Sequence, residues 1–232
     1  MPKYVDIAKN IVGDLVLPKG GYEYMFFGSD FIVERHVDAR GVEAEDITLW
    51  RGYVGGWFLG EKMKVHHKFE LKGVEISGAL DLEQAYIGWM FNMGSDSIYR
   101  EDKALEVRPK VGEDFHAPRL KGGELDFHNL KVGRNLNLSE AKIGILNLSR
   151  CEVEGVLSLM NSKVGKLSFF EGKYKALDFR GSKINKFSIT GRFPEVGEVL
   201  VNSETELPEE LVDLLLFYFP DNKDIKRVKV RK

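Results

Sequence analysis

Apolar residues recur at offsets 0, 2, 5 and 7 of a unit ten or eleven residues long, and no other feature of the chain limits its fold so tightly. In "NLNLSEAKIGILNLSRCEV", residues 135–153, Leu136, Leu138, Ala141 and Ile143 are followed by Leu146, Leu148, Cys151 and Val153. The series opens at Leu125, Phe127, Leu130 and Val132, and it runs on through Leu157, Leu167 and Leu177 to Phe187 and Ile189. A helix needs apolar spacings of three and four around a 3.6-residue period, which these offsets do not supply. Each apolar–polar–apolar triplet instead reads as a very short strand that turns two side chains inward. A strand of that length buries nothing alone, so it has to stack on its counterpart in the next coil. Four such sides close a coil of roughly twenty residues that rises about 4.8 Å, the strand spacing.

The same offsets occur earlier, from Val37, Ala39, Val42 and Ala44 through Ile47, Trp57, Phe69 and Leu80 to Ile87. The expected organisation is a single domain: an N-terminal cap over 1–36, a first repeat block over 37–93 and a second over 125–193. Between the blocks, residues 94–124 are polar and show no repeat, and they read as an excursion from one continuous solenoid. Residues 194–232 read as a helical cap followed by a basic tail. There "LPEELVDLLLFYFP" (207–220) opens on a proline and two glutamates and ends on Pro220, which suits a helix closing the last coil. The triplet count gives about six coils at four triplets each.

The triplets "LDF", "LNL", "LSL" and "LSF", with their polar middle residues, resemble the A(D/N)LXX units of pentapeptide-repeat proteins. That resemblance covers roughly 130 residues and implies a mainly β, right-handed, quadrilateral parallel β-helix. Here leucine replaces alanine at alternate inward positions. Some members of that group mimic duplex DNA and bind topoisomerases as elongated acidic dimers.

A formal net charge of -2 with 43% hydrophobic residues describes a folded chain whose surface is not basic throughout. Cys151 is the only cysteine, which excludes an internal disulfide and a thiolate zinc cluster, and its place in the repeat is that of a small core residue. The first residues are polar, and the longest apolar run, within 211–219, is too short to span a bilayer, so a cytoplasmic protein without membrane contact is expected. A single glutamine with high charge suits a thermophile. Walker A, G-x-G-x-x-G, H-E-x-x-H and G-x-S-x-G sequences are all missing, so no cofactor is expected and a non-enzymatic role is favoured.

Three groups of residues stand out as candidate sites. Lys142, Lys163 and Lys183 fall on one outward column and form a candidate anion-binding strip, whereas Lys131, Glu152 and Lys173 form a column of alternating sign. Trp50, Tyr53, Phe58, Tyr86 and Trp89 are expected to face outward as an interface or ligand surface, covered by the chain itself or by a second copy. His116 and His128, near Glu113 and Asp114, are weak metal candidates. The adjacent His66 and His67 should point to opposite sides of a strand. Glu101, Asp102 and Glu106, beside Arg100 and Arg108, are the carboxylates available to a glycosidase-type site. The expected function is a non-enzymatic interaction or scaffold protein with a protein partner, including self-association as a homodimer. A carbohydrate-binding or carbohydrate-active protein is the first alternative. The second is a nucleic-acid-associated protein that uses the lysine column and the tail "KRVKVRK" (226–232).

Overall fold

A computed structural model describes residues 4–7, 10–27, 30–94, 96–100 and 103–231. The chain is a parallel β-solenoid of about nine turns, with some 22 residues per turn. Each turn lays down four short sides, and each side pairs in register with the same side of the turns before and after it. In one turn the sides are Lys142–Ile143, Ile145–Asn147, Glu152–Val153 and Leu157–Ser158, here called faces 1 to 4. Inward residues form four columns: Val65, Ile87, Ile143 and Val164 on face 1, and Phe69, Phe91, Leu125 and Leu146 on face 2. Val54, Ile76, Val111 and Val132 line face 3, and Val37, Phe58, Leu80 and Phe115 line face 4. All sixteen are buried. Rings from neighbouring turns meet at the centre, with Phe69 stacked on Phe91 at 4.9 Å and Phe127 edge-on to Phe91 at 5.3 Å.

The corners follow two rules. Between faces 4 and 1, and between 2 and 3, the chain makes a tight turn whose third residue is left-handed. In Leu138–Ala141, for instance, the Ala141 N–H donates to the Leu138 carbonyl and Glu140 sits at φ 59. The polar middle residue of the preceding triplet holds that turn. The Asn137 carboxamide oxygen accepts the Ser139 N–H at 2.9 Å, and Asp81, Asn147 and Asp178 do the same two residues on. This is why "LNL" and "LDF" carry Asn and Asp there: the short side chain supplies an acceptor that the turning backbone lacks. The other two corners pass close over the turn beneath. A Cβ at Gly133 would lie 2.0 Å from the Gly112 carbonyl oxygen, a distance no side chain tolerates.

The structure changes several boundaries. The described residues before Val37 are not a separate cap but belong to the first turns of the solenoid: Leu15–Val16 pairs with Val37–Asp38, and Asn10–Ile11 with Ile32–Val33. The expected excursion over 94–124 shrinks to an antiparallel hairpin, Asp96–Arg100 with Lys103–Val107. From Lys110 the chain is back in register, with Lys110–Val111 between Glu75–Ile76 and Lys131–Val132. Val111, Phe115, Ala117 and Leu120 are buried. These additions raise the turn count from about six to about nine. Phe58, expected outside, is 0% exposed; the triplet is shifted by one, so Trp57 and Leu59 flank it on the outside while Phe58 stacks between Val37 and Leu80.

The C-terminal helix, Glu209–Tyr218, closes the last turn with Leu211, Val212 and Leu215 buried, and Tyr218 stacks on Phe193 at 4.7 Å. The tail returns as an edge strand, Lys229–Arg231, paired with Glu206–Pro208 on face 1. Gly133→Ala should lower stability by about 1–3 kcal/mol through this backbone overlap. Gly21→Ala, where a Cβ meets nothing within 4 Å, should leave the thermal midpoint unchanged. Melting curves followed by circular dichroism compare the two.

Candidate functional site

Face 1 places Lys121, Lys142, Lys163 and Lys183 as consecutive register partners, one per turn. Each points outward because the residue after it, Gly122, Ile143, Val164 or Ile184, turns toward the core. Among the described residues, no carboxylate lies within 4.0 Å of the Lys121, Lys142 or Lys163 ammonium. Beside it on face 2 the outward column reads Glu124, Ile145, Lys166 and Lys186. The corner between the two columns carries Gly123, Gly144 and Gly165, stacked so that each would drive a Cβ into the carbonyl below. The face 1 lysines therefore border a bare backbone edge, with Lys166 and Lys186 across it at the far end only. A shallow depression of about 640 Å³ runs along it, lined by Lys142, Gly144, Lys163, Gly165, Lys183 and Arg231.

The end of the row is neutralised. Lys183 Nζ donates to Glu206 at 2.6 Å, and Arg231 donates to the same carboxylate through Nη2 at 2.6 Å and Nε at 2.9 Å. The Lys183 hydrogen bond, followed by that of Arg231, pulls the Glu206 carboxyl down from its usual 4.5 to about 2. Arg231 also reaches Asn185, one turn of the solenoid away from its strand partners.

Face 3 has comparable room and a different character. Lys131, Glu152 and Lys173 are register partners, as the spacing predicts, and the charges alternate along the column. Lys131 lies 3.7 Å from Glu152, Lys173 lies 3.9 Å from Glu195, and Arg108 lies 3.5 Å from Glu152. In the depression there, about 690 Å³, Lys131 and Lys173 are already matched by carboxylates.

The aromatic residues do not gather into one patch. Tyr86 is on face 1 and 43% exposed, and Trp89 is at the corner of faces 1 and 2 and 48% exposed. Trp50 lies edge-on to Phe26 at another corner, and Tyr53, on face 3, accepts a hydrogen bond from Ser77. The adjacent histidines are not on opposite sides. A bulge between Val65 and Lys68 leaves both exposed, with His66 Nε2 donating to Glu43 at 3.0 Å and His67 Nδ1 to Asp46 at 2.9 Å. His116 sits on face 4 between Asp81 and Asn137, whereas His128 follows face 2, so the two do not meet. No group of three metal-binding side chains occurs among the described residues. Cys151 is buried and its thiol donates to the Phe127 carbonyl; burial pushes its pKa well up, away from nucleophilic use. Glu101 and Asp102 lie outside the described residues.

Sequence spacing missed Lys121, because it was assigned to the excursion, and it missed Lys166 and Lys186. The signal for the latter pair is the repeated "KVGK" (163–166) and "KINK" (183–186), a lysine on each side of a corner. Among the described residues no helix is long and apolar enough to cross a membrane. No family model, curated protein or solved structure matches the chain.

Glu206 gives a pH signature for this end of the row. A carboxyl held below its unfolded-state pKa adds stability that is fully present above about pH 4.5 and is lost as the pH falls toward 2. Glu206→Gln should lower the melting temperature at pH 7 and flatten its decline between pH 4.5 and 2. Melting temperatures of both proteins across that range measure the difference.

Proposed function

We propose that the chain is a non-catalytic binding module, a rigid solenoid that holds an extended anionic partner along the edge between faces 1 and 2. The observation that carries this reading is the run of Lys121, Lys142 and Lys163 at successive strand spacings without a carboxylate partner. Like charges directly opposite on neighbouring strands are destabilising. On face 3 Glu75, Glu152 and Glu195 pair with Lys110, Lys131 and Lys173 and relieve the repulsion, whereas on face 1 it is unrelieved from Lys121 to Lys163. A linear polyanion laid along the solenoid axis would relieve it by matching several lysines at once and releasing its counterions. The stacked, pentapeptide-repeat-like coil suits that task, since adding a turn adds a lysine without altering the rest of the surface.

Binding to a fluorescent polyphosphate tests the reading. The wild type should bind, with affinity falling steeply as salt rises. Lys142→Glu with Lys163→Glu should abolish binding, while Lys131→Glu with Lys173→Glu on face 3 should leave most of it. Equal binding by both double variants would show that face 1 is not the site.

A further inference from the structure

We infer that the anionic partner is single-stranded nucleic acid, its phosphates on the face 1 lysine column and its bases against Tyr86 and Trp89; this rests on the reading of that column as an anion-binding edge. The register places the aromatics at the open end of the row. Tyr86 is the direct strand partner of Lys121, so the column reads Tyr86, Lys121, Lys142, Lys163, Lys183 without a gap. Trp89 occupies the same corner as the glycines. Gly123 lies directly over it, with the Trp89 carbonyl oxygen 2.5 Å from where a Gly123 Cβ would stand.

The exposure of Trp89 has a backbone cause. The turns holding His66 and Trp89 each carry one more residue at this corner than the turns that follow, and the ladder shifts register between Ile87 and Met90. Such bulges re-aim side chains. Here the extra residue carries an indole to the outside, where His67 stacks beneath it at 4.7 Å and Lys68 lies 5.1 Å from the ring centroid.

The edge is bounded at both ends. Beyond the aromatics, Lys64 is next in the column and lies 4.0 Å from Glu43, Glu43 and Asp46 also hold His66 and His67, and Glu23 and Glu45 are exposed beside them, which ends the unmatched cationic stretch. At the other end Glu206 neutralises Lys183 and Arg231. Four strand steps separate Tyr86 from Lys183, about 19 Å at the usual strand spacing, room for a few nucleotides. Stacking surfaces next to a lysine track are what an unpaired strand needs, because its bases are free to leave one another. In a duplex the bases are already stacked, and an acidic peptide has no use for the rings.

Titration of the full-length protein with an oligothymidylate of about a dozen nucleotides, and with an abasic deoxyribose-phosphate chain of equal charge, tests the inference. The wild type should bind the oligothymidylate about tenfold more tightly than the abasic chain, with quenching of tryptophan fluorescence. Tyr86→Ala with Trp89→Ala should lose that margin and keep the abasic affinity, whereas Lys142→Glu with Lys163→Glu should lose both ligands. Trp89→Phe, which keeps an aromatic ring, should retain most of the margin while losing the quenching, so the result survives if the alanine variant does not fold. Equal wild-type affinity for the two ligands overturns the base-stacking inference and leaves the anion-binding reading intact, as does tighter binding of a duplex. Binding of polyglutamate with no binding of any oligonucleotide overturns it in favour of an acidic protein. Binding that the lysine variants do not alter overturns both readings.

Discussion

Every part of this protein depends on one turn of backbone hydrogen-bonding to the next at strand spacing. Sides of two or three residues cannot hold a conformation alone, and each gains its partners and its buried neighbours from residues about 21 positions away. Because the ladders keep register on each face and absorb the extra corner residues as bulges, identical positions in successive turns fall directly above one another. An inward position becomes a continuous apolar column, and an outward position becomes a row of like residues exposed to whatever surrounds the protein.

The corners convert that repetition into a usable surface. Where the backbone turns with a left-handed residue, an Asn or Asp just before the turn accepts the N–H two residues on. Where it passes close over the turn beneath, glycine is required, and the surface is stripped of side chains. Face 1 and face 2 meet at a corner of the second kind in three successive turns, which sets the face 1 lysine column beside bare backbone. One inserted residue at the same corner in earlier turns gives the opposite result, lifting His66, His67 and Trp89 outward.

Much of the architecture was legible from the residues. The offsets 0, 2, 5 and 7 over 125–189 give the strands, the inward columns and the two outward columns at Lys142 and Lys131 as the structure has them. The pattern was hidden where small residues fill it: Phe115, Ala117, Leu120 and Gly122 hold the same offsets, but alanine and glycine carry too little apolar signal to announce a strand. Phe58 was placed outside because "GGWFL" admits two registers one residue apart, and a one-residue slip exchanges inside for outside. His66 and His67 were separated by the rule of alternation, which a bulge suspends.

The sequence by itself determined the period, the fold class and which residues share a column, because those follow from apolar spacing and the two-residue alternation of a strand. Only the tertiary structure decided which charges are matched. Lys183 and Arg231 meet at Glu206 although 48 residues separate the two cations, and Lys173 meets Glu195 on the other side of the coil. Ion pairs of that kind depend on how many residues each corner consumes, since an extra residue re-aims the side chains at that corner. The unmatched lysines beside Tyr86 and Trp89 are a property of register, and register is settled only when all the turns are stacked.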